Sequence, residues 1–171
     1  ISTIHDYHVH PAYIAALAQS IQTHWQTHGR PDFAAGDKLL LSFHGLPERN
    51  IKRGDPYQSQ CEATHQALLQ GLGLSSEQVL IAYQSRFGKQ KWIEPYTQAT
   101  LEQLAKTGTK RVDVICPGFS ADCLETLEEI AHQLKAVFIE AGGQDYRYIP
   151  CLNTQPAHIE MMAQLVAEVR V

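Results

Sequence analysis

The stretch KLLLSFHGLPERN, residues 38–50, contains a short apolar strand that ends directly in a histidine. Residues 39–43 are almost continuously apolar, which is typical of a strand buried on both faces of a sheet. Gly45 and Pro47 then stop the extended segment. The pattern therefore predicts a buried strand that holds the imidazole of His44 at its carboxyl end.

The sequence around this strand alternates helical and extended patterns with short connections. The predicted helices cover 11–28, 56–72, 95–107, 122–141 and 156–169, and the further predicted strands cover 79–84, 111–116 and 146–150. Because helices separate strands that are apolar on both sides, a parallel sheet covered on both faces is expected. The predicted fold class is α/β, a three-layer α/β/α sandwich with a four-stranded parallel sheet.

The composition is that of an ordinary globular chain of 171 residues, with 44% hydrophobic and 19% charged residues, which is enough for one domain with a core. The net charge of -4 predicts no nucleic-acid partner, and a peripheral membrane contact, which would need a basic face, is not evident. No apolar run approaches the roughly 18 residues of a membrane span. The first ten residues lack a signal-peptide pattern, so we expect a cytoplasmic protein.

Several common sites are excluded by spacing. The cysteines at 61, 116, 123 and 151 form no CxxC pair, which argues against zinc-ribbon and thioredoxin-like sites and favours reduced thiols. No GxxxxGK[ST] phosphate loop is present, and the GLG of 71–73 ends a predicted helix instead of following a strand. We therefore expect no nucleotide cofactor.

Polar residues follow three of the predicted strands, in segments 43–50, 83–92 and 116–129. Because the carboxyl ends of parallel strands meet at one edge of a sheet, these segments should form a shared crevice. The crevice would collect an imidazole, a carboxylate, cations and an aromatic ring, from His44, Arg86, Lys89, Trp92, Cys123 and Glu125.

Each candidate also has a purely structural interpretation. His44 can be a proton acceptor or metal ligand, or a hydrogen-bonded structural group. Glu125 can be catalytic, or it can complete a capping box with Asp122. Glu129 lies four residues further on the same predicted helix face, where it can pass cations or face solvent. The residues alone leave these pairs of interpretations open.

Two aromatic residues and a histidine-rich run have the same ambiguity. Trp92 and Phe87 can line an aromatic ligand or pack the loop onto the sheet, and Arg86 can meet an acidic substituent of that ligand. The run HDYHVH, residues 5–10, has the residue types of a metal cluster, but its place before a helix favours a solvated loop.

Taken together, LLLSFHGLPERN, YQSRFGKQKWIEPYT and CPGFSADCLETLEEI resemble, in order and spacing, the ferrochelatase family, with its proteobacterial type the most similar. The final YRYIPCLNTQPAHIEMMAQLV resembles the end of that family, so the resemblance covers nearly the whole chain from His5. It implies a chelatase-like, Rossmann-like topology and a lyase that inserts Fe²⁺ into protoporphyrin IX, the last step of haem biosynthesis.

The resemblance also implies roles for individual residues. His44 and Glu125 would be the catalytic pair, and these two with Glu129 would contact the metal. Trp92 falls on the family's pocket tryptophan, and Arg86 and Phe87, proposed above from the residues themselves, are the other expected substrate-binding residues. Gln133 stands where many relatives have an acid, and Cys123 where many have a histidine, while the chain shows no cysteine-rich tail. We therefore expect Fe²⁺ as the substrate metal and no iron–sulfur cluster.

The family normally has about as much chain again upstream. Residues 1–171 are therefore expected to form a single carboxyl-terminal lobe of a two-lobed enzyme, with 1–35 as leading helix and linker. The last helix, 156–169, would pack partly on the missing amino-terminal lobe. We expect the piece alone to be inactive, with its uncovered apolar face either exposed or buried by self-association.

Three other functions stay open on the sequence. One is a chelatase for another tetrapyrrole or metal, such as coproporphyrin or cobalt. Another is a non-catalytic metal- or haem-binding α/β module that uses His5, His8, His10 and His44. The last is an interaction domain in which Glu125 caps a helix and His44 is packed.

Overall fold

The computed structural model describes residues 2–169 and contains one sheet with helices on both of its faces. In chain order, the elements are α1 (Pro11–His28), a 3₁₀ turn (Phe33–Ala35), β1 (Lys38–His44), α2 (Glu48–Lys52), α3 (Tyr57–Leu72), β2 (Val79–Gln84), α4 (Thr97–Lys106), β3 (Arg111–Ile115), a π-helical segment (Glu125–Gln133), α5 (Leu134–Glu140), β4 (Asp145–Ile149) and α6 (Pro156–Glu168). Within 2–169, no helix combines the length and the apolar character that crossing a bilayer requires.

All strands of the sheet are parallel, in the order β2-β1-β3-β4. β1 is therefore central, and its residues pair with β2 as far as His44 opposite Gln84. On its other side, Leu41 lies opposite Ile115 of β3. The predicted α/β/α sandwich is confirmed, and His44 and Gln84 lie side by side at the carboxyl edge of the sheet.

The two faces of the sheet bury separate apolar cores. One core lies between the sheet and α1, α3 and α6, and it includes Leu39, Leu41 and Phe43 of β1. The other lies beneath α4, the π segment and α5, and it includes Leu40 of β1. The alternation of β1 side chains between the two cores explains why its sequence is apolar at consecutive positions.

A buried ion pair anchors α1 at the amino edge of the sheet, which is opposite the edge that carries His44. The Asp113 side chain is fully buried and accepts hydrogen bonds from the Arg111 guanidinium at 2.8 and 3.0 Å. The Trp25 indole N–H of α1 donates to the same carboxylate at 2.8 Å. The leading helix is therefore an integral part of the fold, because it covers the sheet and donates a hydrogen bond to a buried carboxylate.

The predicted helix over 122–141 differs in its first half. Residues Glu125–Gln133 wind as a π-helix, and ordinary α-helix begins only at Leu134. The wider turn brings side chains five positions apart together, as when the Gln133 amide donates to Glu128 at 3.3 Å. The prediction that Glu125 and Glu129 share one helix face assumed a repeat of about four residues. This π-helical segment does not have that repeat.

Candidate functional site

His44 ends β1 with its ring half-buried beside Phe119, at 6.3 Å between ring centroids. Its Nδ1 lies 2.7 Å from the Gly45 carbonyl oxygen. A carbonyl can only accept a hydrogen bond, so Nδ1 must carry the proton and donate. In the neutral ring, the lone pair is then on Nε2, where it can accept a proton or bind a metal ion.

Gly45 allows the chain to turn tightly after the histidine. A Cβ atom at this position would lie 2.8 Å from the Gln84 carbonyl oxygen and 3.2 Å from the Trp92 ring. The Trp92 side chain is only 7% exposed, and its indole N–H donates to the Phe87 carbonyl at 2.9 Å. The Trp92 ring thus packs against Gly45, and its hydrogen bond restrains the loop that carries Phe87.

Glu125 is the first residue of the π segment, and its side chain is exposed. The alternative capping-box interpretation is wrong, because the Asp122 backbone N–H donates to the Asn153 side chain at 2.9 Å. The pKa of Glu125 is lowered, mainly by a hydrogen bond from the Cys123 side chain and by the Glu125 backbone, with a further contribution from His44. The contribution of His44 is the smallest of these, and His44 is not among the residues that line the cleft described below.

A buried glutamine connects the sheet to the π segment. The Gln84 side-chain amide donates to the Glu125 carbonyl oxygen at 3.0 Å, while its oxygen accepts from the Ser42 hydroxyl at 2.8 Å. Because Ser42 lies in central β1, these bonds fix the start of the π segment relative to the strand that carries His44. This role was not predicted from the sequence, although a polar glutamine at the end of an apolar strand was an indication of it.

Glu129 is held by the residue that follows β2. Its carboxylate accepts from the Ser85 backbone N–H at 2.8 Å and from the Ser85 hydroxyl at 2.5 Å. Ser85 adopts a φ of 63°, a left-handed conformation that is uncommon outside glycine. Glu129 is half-buried. A metal ion at Glu129 would have to compete with these two donors for the carboxylate oxygens, and the metal contact remains a prediction.

A cleft of about 580 Å³ lies between the end of β2, α4 and the π segment. Its lining includes Glu125 and Glu129, and also Arg86 and Phe87 of the loop after β2. Arg86 stacks its guanidinium over the Tyr96 ring at 4.7 Å, and Phe87 is 65% exposed. The cleft therefore combines carboxylates on one side with a cation and exposed aromatic surface on the other.

The ferrochelatase family model matches residues 1–170. The chain belongs to the ferrochelatase family. It is 53% identical over 165 residues to the ferrochelatase of Vibrio parahaemolyticus serotype O3:K6 (strain RIMD 2210633), in an alignment that covers 96% of this chain and 50% of that protein. The chain thus spans about half the length of the curated relative it matches, and the resemblance stated from its motifs is confirmed.

For a member of the ferrochelatase family, the distribution of metal-binding side chains is informative. Among the described residues 2–169, no three His, Cys, Asp or Glu side chains gather into a group that could hold a metal ion. In the amino-terminal run, His8 pairs with Asp6 at 2.9 Å, whereas His10 contacts Glu168 at 3.2 Å. His44, Glu125 and Glu129 remain predictions as metal-contacting residues, without a preformed cage.

Proposed function

We propose that the chain is the carboxyl-terminal lobe of a two-lobed cytoplasmic ferrochelatase, a lyase that inserts Fe²⁺ into protoporphyrin IX to form protohaem. Family membership and the half-length match support this assignment. The observation that carries it is geometric: Gln84, which lies opposite His44 in the sheet, donates a hydrogen bond to the Glu125 carbonyl, so both residues stand at the carboxyl edge of the sheet. An imidazole and a carboxylate are the two kinds of group that metal insertion into a porphyrin needs.

Metal insertion exchanges two pyrrole protons for one Fe²⁺ ion. His44 is suited to accept a pyrrole proton, because its Nδ1–H bond to Gly45 orients the ring and leaves Nε2 basic. Glu125 is suited to stay ionised, since the hydrogen bond from Cys123 lowers its pKa. In this proposal, His44 is base and metal contact, and Glu125 is its partner on the opposite side of the macrocycle.

The absence of a three-ligand group in the described part of the chain fits a metal that is substrate. A closed cage of side chains would retain Fe²⁺, whereas a pair of groups can hold the ion and release it to four pyrrole nitrogens. We propose that Glu129 supports this transfer as a further carboxylate in the lining of the cleft. Neither a nucleotide nor an iron–sulfur cluster takes part in the proposed reaction.

The cleft supplies features that a porphyrin would use. Phe87 offers an exposed ring for contact with the flat macrocycle, and Arg86 offers a cation for a propionate group. Trp92 contributes indirectly, because its buried indole N–H donates a hydrogen bond to the Phe87 carbonyl and so positions this loop. We propose that the missing amino-terminal lobe closes the other side of this slot.

The last helix supports the two-lobed arrangement. Three apolar side chains on α6 are largely exposed, at 48% for Ile159, 40% for Met162 and 50% for Val166. Their spacing places them along one side of the helix. We propose that the amino-terminal lobe covers part of this stripe. The 171-residue chain alone should then associate with itself and insert metal slowly or not at all.

The proposed function is tested by following metalloporphyrin absorbance in the two-lobed protein. His44→Ala and Glu125→Gln should each lower kcat by about 10²–10⁴-fold, the usual contribution of a positioned acid or base. His132→Ala provides a matched control, because His132 is exposed on the same π segment. Rates equal to wild type in both folded site variants would eliminate the assignment, and parallel assays with coproporphyrin and Co²⁺ would define the substrate.

A further inference from the structure

Tyr13 connects the leading helix to the carboxyl edge of the sheet. It lies in the first turn of α1, is 7% exposed, and donates its hydroxyl to the Pro117 carbonyl oxygen at 2.5 Å. Burial raises the pKa of this hydroxyl far above its ordinary value, so the group stays protonated and remains a hydrogen-bond donor. Because Pro117 lies two residues beyond the end of β3, the bond holds the chain just where it leaves the sheet.

A turn over residues 116–119 follows β3 and packs against the end of β1. The Phe119 backbone N–H donates to the Cys116 carbonyl at 3.1 Å, which closes the turn. A Cβ atom on Gly118 would lie 3.4 Å from the Phe43 ring, so the turn approaches this ring closely. The turn that Tyr13 holds is therefore in contact with the residue that precedes the histidine of β1.

Phe119 links this turn to His44. The centroids of the two rings lie 6.3 Å apart, with an angle of 52° between their planes. The hydrogen bond from His44 Nδ1 to the Gly45 carbonyl fixes one edge of the imidazole, but a single bond still allows the ring to tilt. A second contact, from the packed Phe119 ring, restricts this tilt and with it the direction in which Nε2 points.

The helix that carries Tyr13 is itself held in place at its other end. The Trp25 indole N–H donates to Asp113 within β3 at 2.8 Å, while Tyr13 donates to Pro117 beyond the same strand. Both hydrogen bonds are buried, and together they fix α1 along the length of β3. Tyr13 is therefore a fixed support for the turn over 116–119, and its own position does not depend on that turn alone.

We propose that Tyr13 is a positioning residue for His44, because its hydroxyl holds the turn over 116–119 and the turn holds Phe119 beside the imidazole. This inference rests on the proposed function for its catalytic consequence, since a base gains from a fixed direction of Nε2 only if it accepts a proton at a defined place. A purely structural hydrogen bond is the competing explanation. It predicts a loss of stability without any effect that passes through Phe119.

The first measurement follows the imidazole protons of His44 by NMR in the two-lobed protein with labelled histidine. The His44 signals are assigned by their absence from His44→Gln. Phe119→Leu removes the neighbouring aromatic ring and so defines where the signals lie without its ring current. Tyr13→Phe keeps the buried ring of residue 13 but removes the donor, and it should displace the His44 signals toward their position in Phe119→Leu.

Tyr146→Phe is the matched control. Tyr146 is 5% exposed and donates its hydroxyl to the Ile130 carbonyl at 2.7 Å, in the core on the other face of the sheet. Both substitutions therefore delete one buried hydroxyl that donates to a carbonyl, and both should lower the urea midpoint to a similar extent. Only Tyr13→Phe should displace the His44 signals. Equal displacement in both variants, or no displacement in Tyr13→Phe, would overturn the proposal.

Metallation kinetics of the two-lobed protein test whether the effect passes through Phe119. Tyr13→Phe should lower kcat about tenfold, with the KM for porphyrin unchanged because Tyr13 lies outside the cleft. In the Phe119→Leu background, the same substitution should have little further effect on kcat, since residues that act through one contact are not additive. Additive losses would show a merely structural role and overturn the proposal. Displaced His44 signals together with wild-type metallation in His44→Ala would remove only the proposed function.

Discussion

Ser85 donates both its backbone N–H and its hydroxyl to the carboxylate of Glu129, at 2.8 and 2.5 Å. The pair joins the carboxyl end of β2 to the middle of the π segment. Ser85 is 6% exposed, so its donors have little access to water. The contact therefore holds the Glu125-bearing segment against the sheet and offsets the cost of the left-handed backbone at Ser85.

The first prediction concerns loss of this carboxylate. Glu129→Ala leaves two poorly hydrated donors without a partner, and it should lower the free energy of unfolding by about 2–3 kcal/mol. Urea denaturation of the 171-residue chain measures the effect. Glu128→Ala is the matched control, because the adjacent Glu128 is exposed, and its change should stay within roughly 0.5 kcal/mol. Equal destabilisation by both substitutions would contradict the proposed role of the Ser85–Glu129 pair.

The second prediction tests the tight turn after His44. Gly45→Ala places a Cβ atom 2.8 Å from the Gln84 carbonyl oxygen, a contact that requires backbone movement. The substitution should cost about 1–3 kcal/mol in unfolding free energy. Because the Gly45 carbonyl orients the His44 ring, it should also lower the kcat for metallation in the two-lobed protein.

Gly71→Ala is the control for Gly45→Ala. Gly71 lies inside α3, and an added Cβ would approach its nearest neighbour, Ile14, only to an ordinary contact of 3.8 Å. Alanine favours helix over glycine by up to about 1 kcal/mol, so this substitution should be neutral or stabilising. If both glycines tolerated alanine equally, steric restriction at Gly45 would be ruled out.

The sequence was sufficient to predict the sheet, since its strands are apolar runs and its helices have regular apolar spacing. It was also sufficient to place His44 at a strand end, because that position depends only on where the apolar run of β1 stops. The π-helical winding at Glu125 was not predictable in this way. It coincides with long-range bonds from Gln84 and Ser85 that helix periodicity does not encode.

Trp92 and Asp122 also show that sequence patterns do not reveal long-range contacts. Both residue types suit the predicted roles of pocket aromatic and helix cap, but the contacts that each side chain makes depend on packing between distant segments of the chain. Trp92 is buried over Gly45, and Asp122 accepts hydrogen bonds from Tyr148 of β4 and from Asn153, which follows that strand.

The third prediction concerns the thiols. Cys61, Cys116 and Cys151 are at most 3% exposed, and burial raises the pKa of Cys61 and of Cys151 to about 12. Cys123 is half-exposed beside the cleft. At pH 8, iodoacetamide should therefore modify one thiol in the folded chain and four in denaturant, as counted by mass spectrometry. Cys123→Ser should abolish the native labelling, and rapid modification of a second cysteine would show that the cores are more open than described.

The last prediction concerns acid stability. Burial raises the pKa of the Asp122 carboxyl, but hydrogen bonds from the Tyr148 hydroxyl and the Asn153 amide outweigh it, so the pKa is lowered in the folded state. These bonds measure 2.5 Å from Tyr148 and 2.7 Å from Asn153. A folded pKa below the unfolded value means that ionised Asp122 stabilises the protein above the unfolded value, and that this stabilisation is lost as the pH falls through the folded value.

Asp122→Asn should thus lower the free energy of unfolding by about 1–3 kcal/mol at pH 7, because the amide cannot replace a carboxylate that accepts from several donors. The difference from wild type should persist to about pH 4 and shrink below it, because Asp122 of the unfolded chain binds a proton first, near its ordinary pKa of about 3.9, and the folded carboxyl follows at a lower pH. Urea denaturation at pH 7, 5, 4 and 3 measures it, with the exposed Glu140→Gln as the charge-matched control. A difference that stays constant down to pH 3 would mean that the Asp122 charge does not stabilise the junction between β4 and the π segment.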